Sequence, residues 1–243
     1  MVQSYRRHCH LSKNIASHIG GVKSVEVKNR SIFYKRAASH LIRRIDGLSI
    51  WFGINPPAID ASDMLLHISD TPGTLYPYLR RALRRLRPAY IVHTGDFADD
   101  IKLERRRGLL GAYKKKIKEF VSILEEGKYG AILVAGNHDH APTLLSEISC
   151  DTVQLWTSPG RFSIGQFIFC AGHSSESVAG SDAQYCLFGH NMDRRSGEDE
   201  HGKMFLNGLE AMYLIHLQSG EVTAIPYPPG TEKARLQKRR AGI

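Results

Sequence analysis

The chain has little cysteine. Its 243 residues include four, Cys9, Cys150, Cys170 and Cys186, and no two form a CxxC pair. That spacing offers no Cys-His zinc finger and argues against a disulfide framework, which makes a reducing cytoplasm the expected setting. Cys170 and Cys186 lie inside apolar runs, where a buried free thiol behaves as a small hydrophobe. Long apolar runs are missing too. No segment reaches the ~18 consecutive apolar residues that a membrane-spanning helix needs. The opening MVQSYRRHCHLSKN carries charge but no apolar stretch of the kind a secretory leader has. Three catalytic signatures are also absent: a GxSxG elbow, a Walker A loop, and a GxGxxG fingerprint after a strand.

What is present is ordinary in amount and uneven in placement. A hydrophobic fraction of 42% and a charged fraction of 23% suit a globular chain long enough to bury a core without staples. The net charge of +9 favours anionic partners such as phosphoesters, nucleotides or nucleic acid. It is clustered in three runs: Arg80, Arg81, Arg84, Arg85 and Arg87; Arg105–Arg107 with Lys114–Lys116 and Lys118; and Lys233, Arg235, Lys238, Arg239 and Arg240. No nucleic-acid-binding motif accompanies these runs, and solvated helix faces with a basic tail are the favoured account of them.

The hydrophobic pattern divides the chain into an N-terminal extension over residues 1–60, a main domain over 61–230 and a basic C-terminal tail over 231–243. Ser31 to Ile45 reads as a basic amphipathic helix, and GINPPAIDASD as a linker. From Asp63 onward MLLHIS, AYIVHTG and GAILVAG read as buried strands. Between them, Leu79, Leu83 and Leu86 recur at helical spacing with Pro88 as the stop. A long helix fits Leu110, Tyr113, Ile117, Phe120, Val121 and Leu124, ending at Gly127, and another begins near Ala141. The order β-α-β-α-β implies parallel strands with crossover helices. The second half is strand-rich: TVQLW, RFSIG, QFIFCAG and YCLFG, then AMYLIHL and EVTAIPY around a Gln218-Ser219-Gly220 hairpin turn. The two halves together predict an α/β fold of two sheets with helices outside them.

Five of these apolar strands end in a residue that can bind a hard or borderline metal. Asp70 follows MLLHIS, Asp96 follows AYIVHTG, Asn137 and His138 follow GAILVAG, His173 follows QFIFCAG, and His190 follows YCLFG. Ligands of open α/β sheets gather beyond the carboxyl ends of the strands, so residues distant in sequence meet there. Carboxylate, amide oxygen and imidazole together suit a divalent Mn, Fe or Zn ion.

In this order the motifs become specific. Asp70-Thr71-Pro72, Gly95-Asp96-Phe97-Ala98-Asp99, Gly136-Asn137-His138-Asp139, Gly172-His173 and Gly189-His190-Asn191-Met192 resemble the DxH, GDxxD, GNH[DE], single-His and GHxH motifs of the calcineurin-like metallophosphoesterases. The resemblance covers residues from about 64 to 228. It implies a four-layer αββα sandwich of two mixed sheets flanked by helices. It further implies metal-dependent hydrolysis of a phosphomonoester or phosphodiester, with one or two divalent ions. By resemblance, Asp96 bridges two metals and Asn137, His173 and His190 complete the shell of the second. Asp70 belongs to the first metal, His138 sits beside the substrate phosphate, and Asp139 orients His138.

Two positions depart from the pattern. Pro72 stands where DxH has its histidine, and Met192 where GHxH has its second. The resemblance assigns both missing histidines to the first metal, so that position keeps only Asp70 and the shared Asp96. Asp193, Asn191, His201 and His93 are the candidate substitutes. A catalytically weakened metal-binding domain, holding a phosphate ligand or nucleic acid through its basic surface, is the alternative that this loss leaves open.

Overall fold

The computed structural model describes residues 42–44, 50, 59–127 and 129–235, all within one unit. Two mixed sheets with helices outside them form the molecule, as the sequence predicts. In the first sheet, β2 (Met64–Ile68), β3 (Tyr90–His93), β4 (Gly130–Val134) and β5 (Val153–Trp156) run parallel. On the other side of β2 come antiparallel β11 (Met212–His216), then β12 (Val222–Ile225), then the two-residue β1 (Arg43–Arg44). The second sheet runs β6 (Gly160–Ile164), β7 (Phe167–Ala171), β8 (Tyr185–Phe188), β10 (Met204–Asn207) and β9 (Gly197–Glu198). Three crossover helices join the parallel strands: α1 (Tyr76–Leu86), α2 (Leu110–Gly127) and α3 (Ala141–Glu147). Short α4 (Ser175–Ala179) and α5 (Thr231–Arg235) follow.

Three apolar layers account for this stacking. Alternate residues of one strand point to opposite faces, so Leu66, Ile68, Ile91 and Leu133 turn toward Leu79, Leu83, Ile117 and Phe120 of α1 and α2. Their neighbours Leu65, Val92 and Val134 turn the other way, onto Phe169, Tyr185, Leu187 and Leu206 of the second sheet. The outer face of that sheet, with Cys170, Cys186, Phe188 and Phe205, is covered by Val178 of α4. Strands buried on both faces read as continuous apolar runs, which is why MLLHI and YCLF lack alternation. Cys170 and Cys186 are unpaired in this layer, and burial pushes the Cys186 thiol up to about 11.

The helix boundaries follow local chemistry. α1 buries Leu79, Ala82, Leu83 and Leu86 and stops at Arg87, which adopts a left-handed φ of 50° ahead of Pro88. α3 starts at His140, whose Nδ1 accepts the Thr143 backbone N–H. The helix expected over Ser31 to Ile45 lies mostly outside the described residues, and Arg43–Arg44 near its end are paired as a strand with β12. Four elements had no clear periodic signal: α4, β9, β10 and α5.

Candidate metal centre

The carboxyl ends of β2, β3 and β4 in the first sheet meet those of β7 and β8 in the second. Asp70, Asp96, Asn137, His173 and His190 each lie just beyond one of these ends. Among the described residues five non-glycines have positive φ, and three of them are Asp70 (47°), Asp96 (58°) and His190 (70°). A left-handed backbone costs an L-residue roughly 1–2 kcal/mol, and such strain gathers where a side chain must be aimed. Close approach of the loops demands glycine between them. A Cβ on Gly95, whose φ is +106°, would meet His173 Nδ1 at 2.5 Å, and one on Gly136 would meet Asp96 Oδ1 at 2.4 Å.

Four of the five side chains converge. The Nδ1–H of His173 donates to the Thr94 carbonyl at 2.7 Å, which leaves Nε2 with its lone pair facing inward. That Nε2 lies 2.9 Å from Asn137 Oδ1, 3.1 Å from His190 Nδ1 and 3.6 Å from Asp96 Oδ2. Asp96 Oδ2 is buried and has no hydrogen-bond partner. Lone pairs on Nε2, Oδ1 and Oδ2 therefore crowd one another, an arrangement that a divalent cation satisfies. Four ligands around one ion at ordinary N and O bond lengths stand about 3.3–3.6 Å apart, so the 2.9 and 3.1 Å edges need to open by only a few tenths of an ångström. The residues present fit a metal ion.

Charge in the same place points the same way. Burial, reinforced by the Asp70, Asp139 and Asp99 carboxylates, holds the Asp96 carboxyl well above the usual range. A bound cation reverses that effect, because opposite charge favours the ionised form. For Asp70, burial would raise the carboxyl, but His173, Arg235, the His190 N–H and the Ser69 hydroxyl outweigh it and hold it low.

Asp139 has a different set of partners from the expected one. Its Oδ2 accepts the backbone N–H groups of Asp96 (2.7 Å) and Gly136 (2.8 Å). Its Oδ1 accepts the Phe97 N–H (3.0 Å) and the Tyr113 hydroxyl (2.9 Å). It ties the loop after β3 to the loop after β4, while burial raises its carboxyl to about 6 against those donors. Glu104 stands beside the His138 ring, with Oε2 3.3 Å from Nδ1. The same oxygen accepts the Asn137 Nδ2–H at 2.6 Å. The His138 backbone N–H donates to Asp96 Oδ1 at 2.9 Å, and Asp96, Asp99 and His138 form a second cluster of ligand atoms within 4.8 Å of one another. Lys102 is buried and paired with Asp99. A cavity of about 430 Å3 opens beside Asn137, lined by Leu103, Glu104, Arg107, Leu110 and His140.

The first-metal side is differently built. Pro72 is buried at the start of a 3-10 turn over Gly73–Leu75. Met192 is partly exposed, with its sulfur 3.9 Å from Asn207 Nδ2. None of the four candidate substitutes is aimed at Asp70 by the contacts it makes. His93 is a core residue: its Nδ1 accepts the Gly95 N–H, its Nε2 donates to Thr71 Oγ1 at 2.7 Å, and it packs on Phe97 and Phe120. His201 is exposed next to Glu200, while Asp193 donates its N–H to Asn191 Oδ1. Asp70 Oδ2 itself accepts the Ser69 hydroxyl (2.7 Å) and the His190 N–H (3.0 Å).

Two contributors carried no sequence signal. Glu104 lies in an arginine-rich loop that reads only as charged surface. Arg235 falls in the expected basic tail, yet it is buried beneath Asp70. Its guanidinium stacks on Tyr227 at 4.0 Å and donates to the carbonyls of Ser69, Asp70 and Leu209. The basic face of α1 is partly neutralised, since Arg80 and Arg84 both pair with Glu126.

The calcineurin-like phosphoesterase family matches residues 64–236 of the chain. No curated protein matches it in sequence. Among solved structures, YfcE, a phosphoesterase from E. coli, superposes with a TM-score of 0.44 at 14% identity, covering 65% of this chain and 96% of its own. TT1561 of Thermus thermophilus gives 0.44 at 8% identity, covering 66% and 96%.

Proposed function

The chain belongs to the calcineurin-like phosphoesterase family, and from that premise we propose that it hydrolyses a phosphomonoester or phosphodiester with a divalent ion held by Asp96, Asn137, His173 and His190. The observation that carries this reading is the orphaned, buried Asp96 Oδ2, set against the inward lone pair of His173 with Asn137 Oδ1 and His190 Nδ1 alongside. The N and O donor set suits Mn, Fe or Zn. When bound, the ion supplies Lewis-acid charge for the phosphoryl oxygens and an acidified water. Asp70 and Asp96 are the residues that would hold an ion at the first-metal position, and two carboxylates alone would hold it weakly.

The remaining chemistry falls to the chain. His138 gives a proton to the leaving oxygen, from a position fixed by its backbone bond to Asp96. Asp139 acts through the backbone, keeping the Asp96 and Asn137 loops at the spacing the ligands need. The leaving group occupies the cavity walled by Leu103, Arg107 and Leu110. Unpaired, buried thiols support a reducing, cytoplasmic setting. No helix of the described residues is long and apolar enough to cross a membrane.

Hydrolysis of bis-p-nitrophenyl phosphate and p-nitrophenyl phosphate with Mn(II) tests the proposal. The wild-type protein is expected to exceed the His138→Ala variant by about 100-fold or more. Equal rates in both, with any divalent ion, would overturn the enzymatic reading in favour of a domain that binds a phosphate ligand without turnover.

A further inference from the structure

We infer that Glu104 is a positioning residue that sets a metal ligand and the proton donor with one carboxylate. This rests on the metal centre proposed above and adds a residue that lies outside the family's motifs. Glu104 Oε2 accepts the Asn137 Nδ2–H at 2.6 Å, and the same atom stands 3.3 Å from His138 Nδ1.

The first contact decides which way the Asn137 amide points. An amide has a donor end and an acceptor end of nearly equal shape. Only the acceptor end can serve a cation. With Nδ2 held on an anionic acceptor, Oδ1 is turned toward His173 Nε2, 2.9 Å away. Without Glu104 the Nδ2 end keeps only its longer contacts to His138 Nδ1 (3.4 Å) and Nε2 (3.5 Å), which hold the amide less firmly in this sense. The second contact sets a carboxylate oxygen 3.3 Å from His138 Nδ1. A carboxylate at Nδ1 keeps a proton there and leaves Nε2 for exchange with the substrate, as the partners of functional histidines do. Glu104 also lines the cavity beside Asn137, together with Leu103, Arg107 and Leu110. A leaving group seated there therefore touches the residue that orients both neighbours.

The side chain is 55% exposed, so substitutions at this position leave the core intact. Calorimetric titration of wild-type, Glu104→Ala and Glu104→Gln proteins with Mn(II) tests the idea, alongside steady-state kinetics with bis-p-nitrophenyl phosphate. The Ala variant is expected to lose about 10–100-fold in Mn(II) affinity. The Gln variant still offers an oxygen to the Asn137 N–H, so its affinity returns to within about threefold of wild type. Its kcat nevertheless falls about tenfold or more with KM little changed, because His138 has lost the carboxylate charge beside its Nδ1. An Ala variant with wild-type Mn(II) affinity and kcat overturns this inference alone. A Gln variant no better than Ala in affinity overturns it too, because charge and not amide orientation would then be at work. Wild-type protein that takes up no Mn(II) defeats the metal centre itself, and the inference with it.

Discussion

The backbone N–H of His190 donates to Asp70 Oδ2 at 3.0 Å, across the seam between the two sheets. The Ser69 hydroxyl donates to the same oxygen at 2.7 Å. One oxygen of Asp70 is thus committed to holding the second sheet's loop, on the side where Pro72 and Met192 replace imidazoles. Metal analysis after gel filtration in Mn(II) is expected to return one equivalent per chain. The double variant Pro72→His, Met192→His is expected to return two, with an accompanying rise in kcat. Two equivalents in the wild type would refute the weak first position.

Acid should destabilise this fold through its core histidines. Burial drives the His67 imidazole down to about 3, and it drives His93 in the same direction. In the unfolded chain both titrate near 6.5. Between that pH and about 3 the unfolded state therefore binds more protons. The stability they contribute is complete above pH 6.5 and is lost as the pH falls toward 3. Urea unfolding in EDTA across this range should show the loss. His67→Gln, which can retain a partner for Thr94 Oγ1, should have a shallower acid limb. An unchanged limb would assign the loss to other groups.

Arg235→Ala should cost about 2–4 kcal/mol, because it strands the carbonyls of Ser69, Asp70 and Leu209 in a buried place. A thermal melt of the metal-free protein reads this directly. Removal of residues 231–243, which takes Arg235 with it, should cost at least as much. An Arg235→Ala variant that melts with the wild type would return Arg235 to the solvated tail.

The sequence carried the strand-end pattern well, because a ligand after an apolar run is a local fact. Asp70, Asp96, Asn137, His173 and His190 all stand at adjoining strand ends, and four converge. The parallel half of the first sheet was legible for the same reason, through crossover helices with clean periodicity in α1 and α2. Partners were not legible. Asp139 looks like the natural neighbour of His138, yet its oxygens go to three donors on other segments and to Gly136 of its own loop, while Glu104 stands beside the His138 ring. Such choices depend on how two loops meet in space. Arg235 was hidden similarly, since a buried guanidinium and a solvated one are the same letter in a basic run. The short β10 follows a polar loop and contributes four buried residues, too few to announce a period.

The contact between the Thr94 carbonyl and His173 Nδ1 has a consequence for how the molecule comes together. Every prospective ligand except His173 and His190 follows a strand of the first sheet. These two arrive only once the second sheet has closed over its partner. An ion at this place would close loops as long as the one from Asp96 to His190, which are the slow contacts to gather from an open chain. Tight uptake of metal would then be among the last events of assembly. A nascent or half-assembled chain would leave the ion in solution, and retention of metal would report that both sheets have docked.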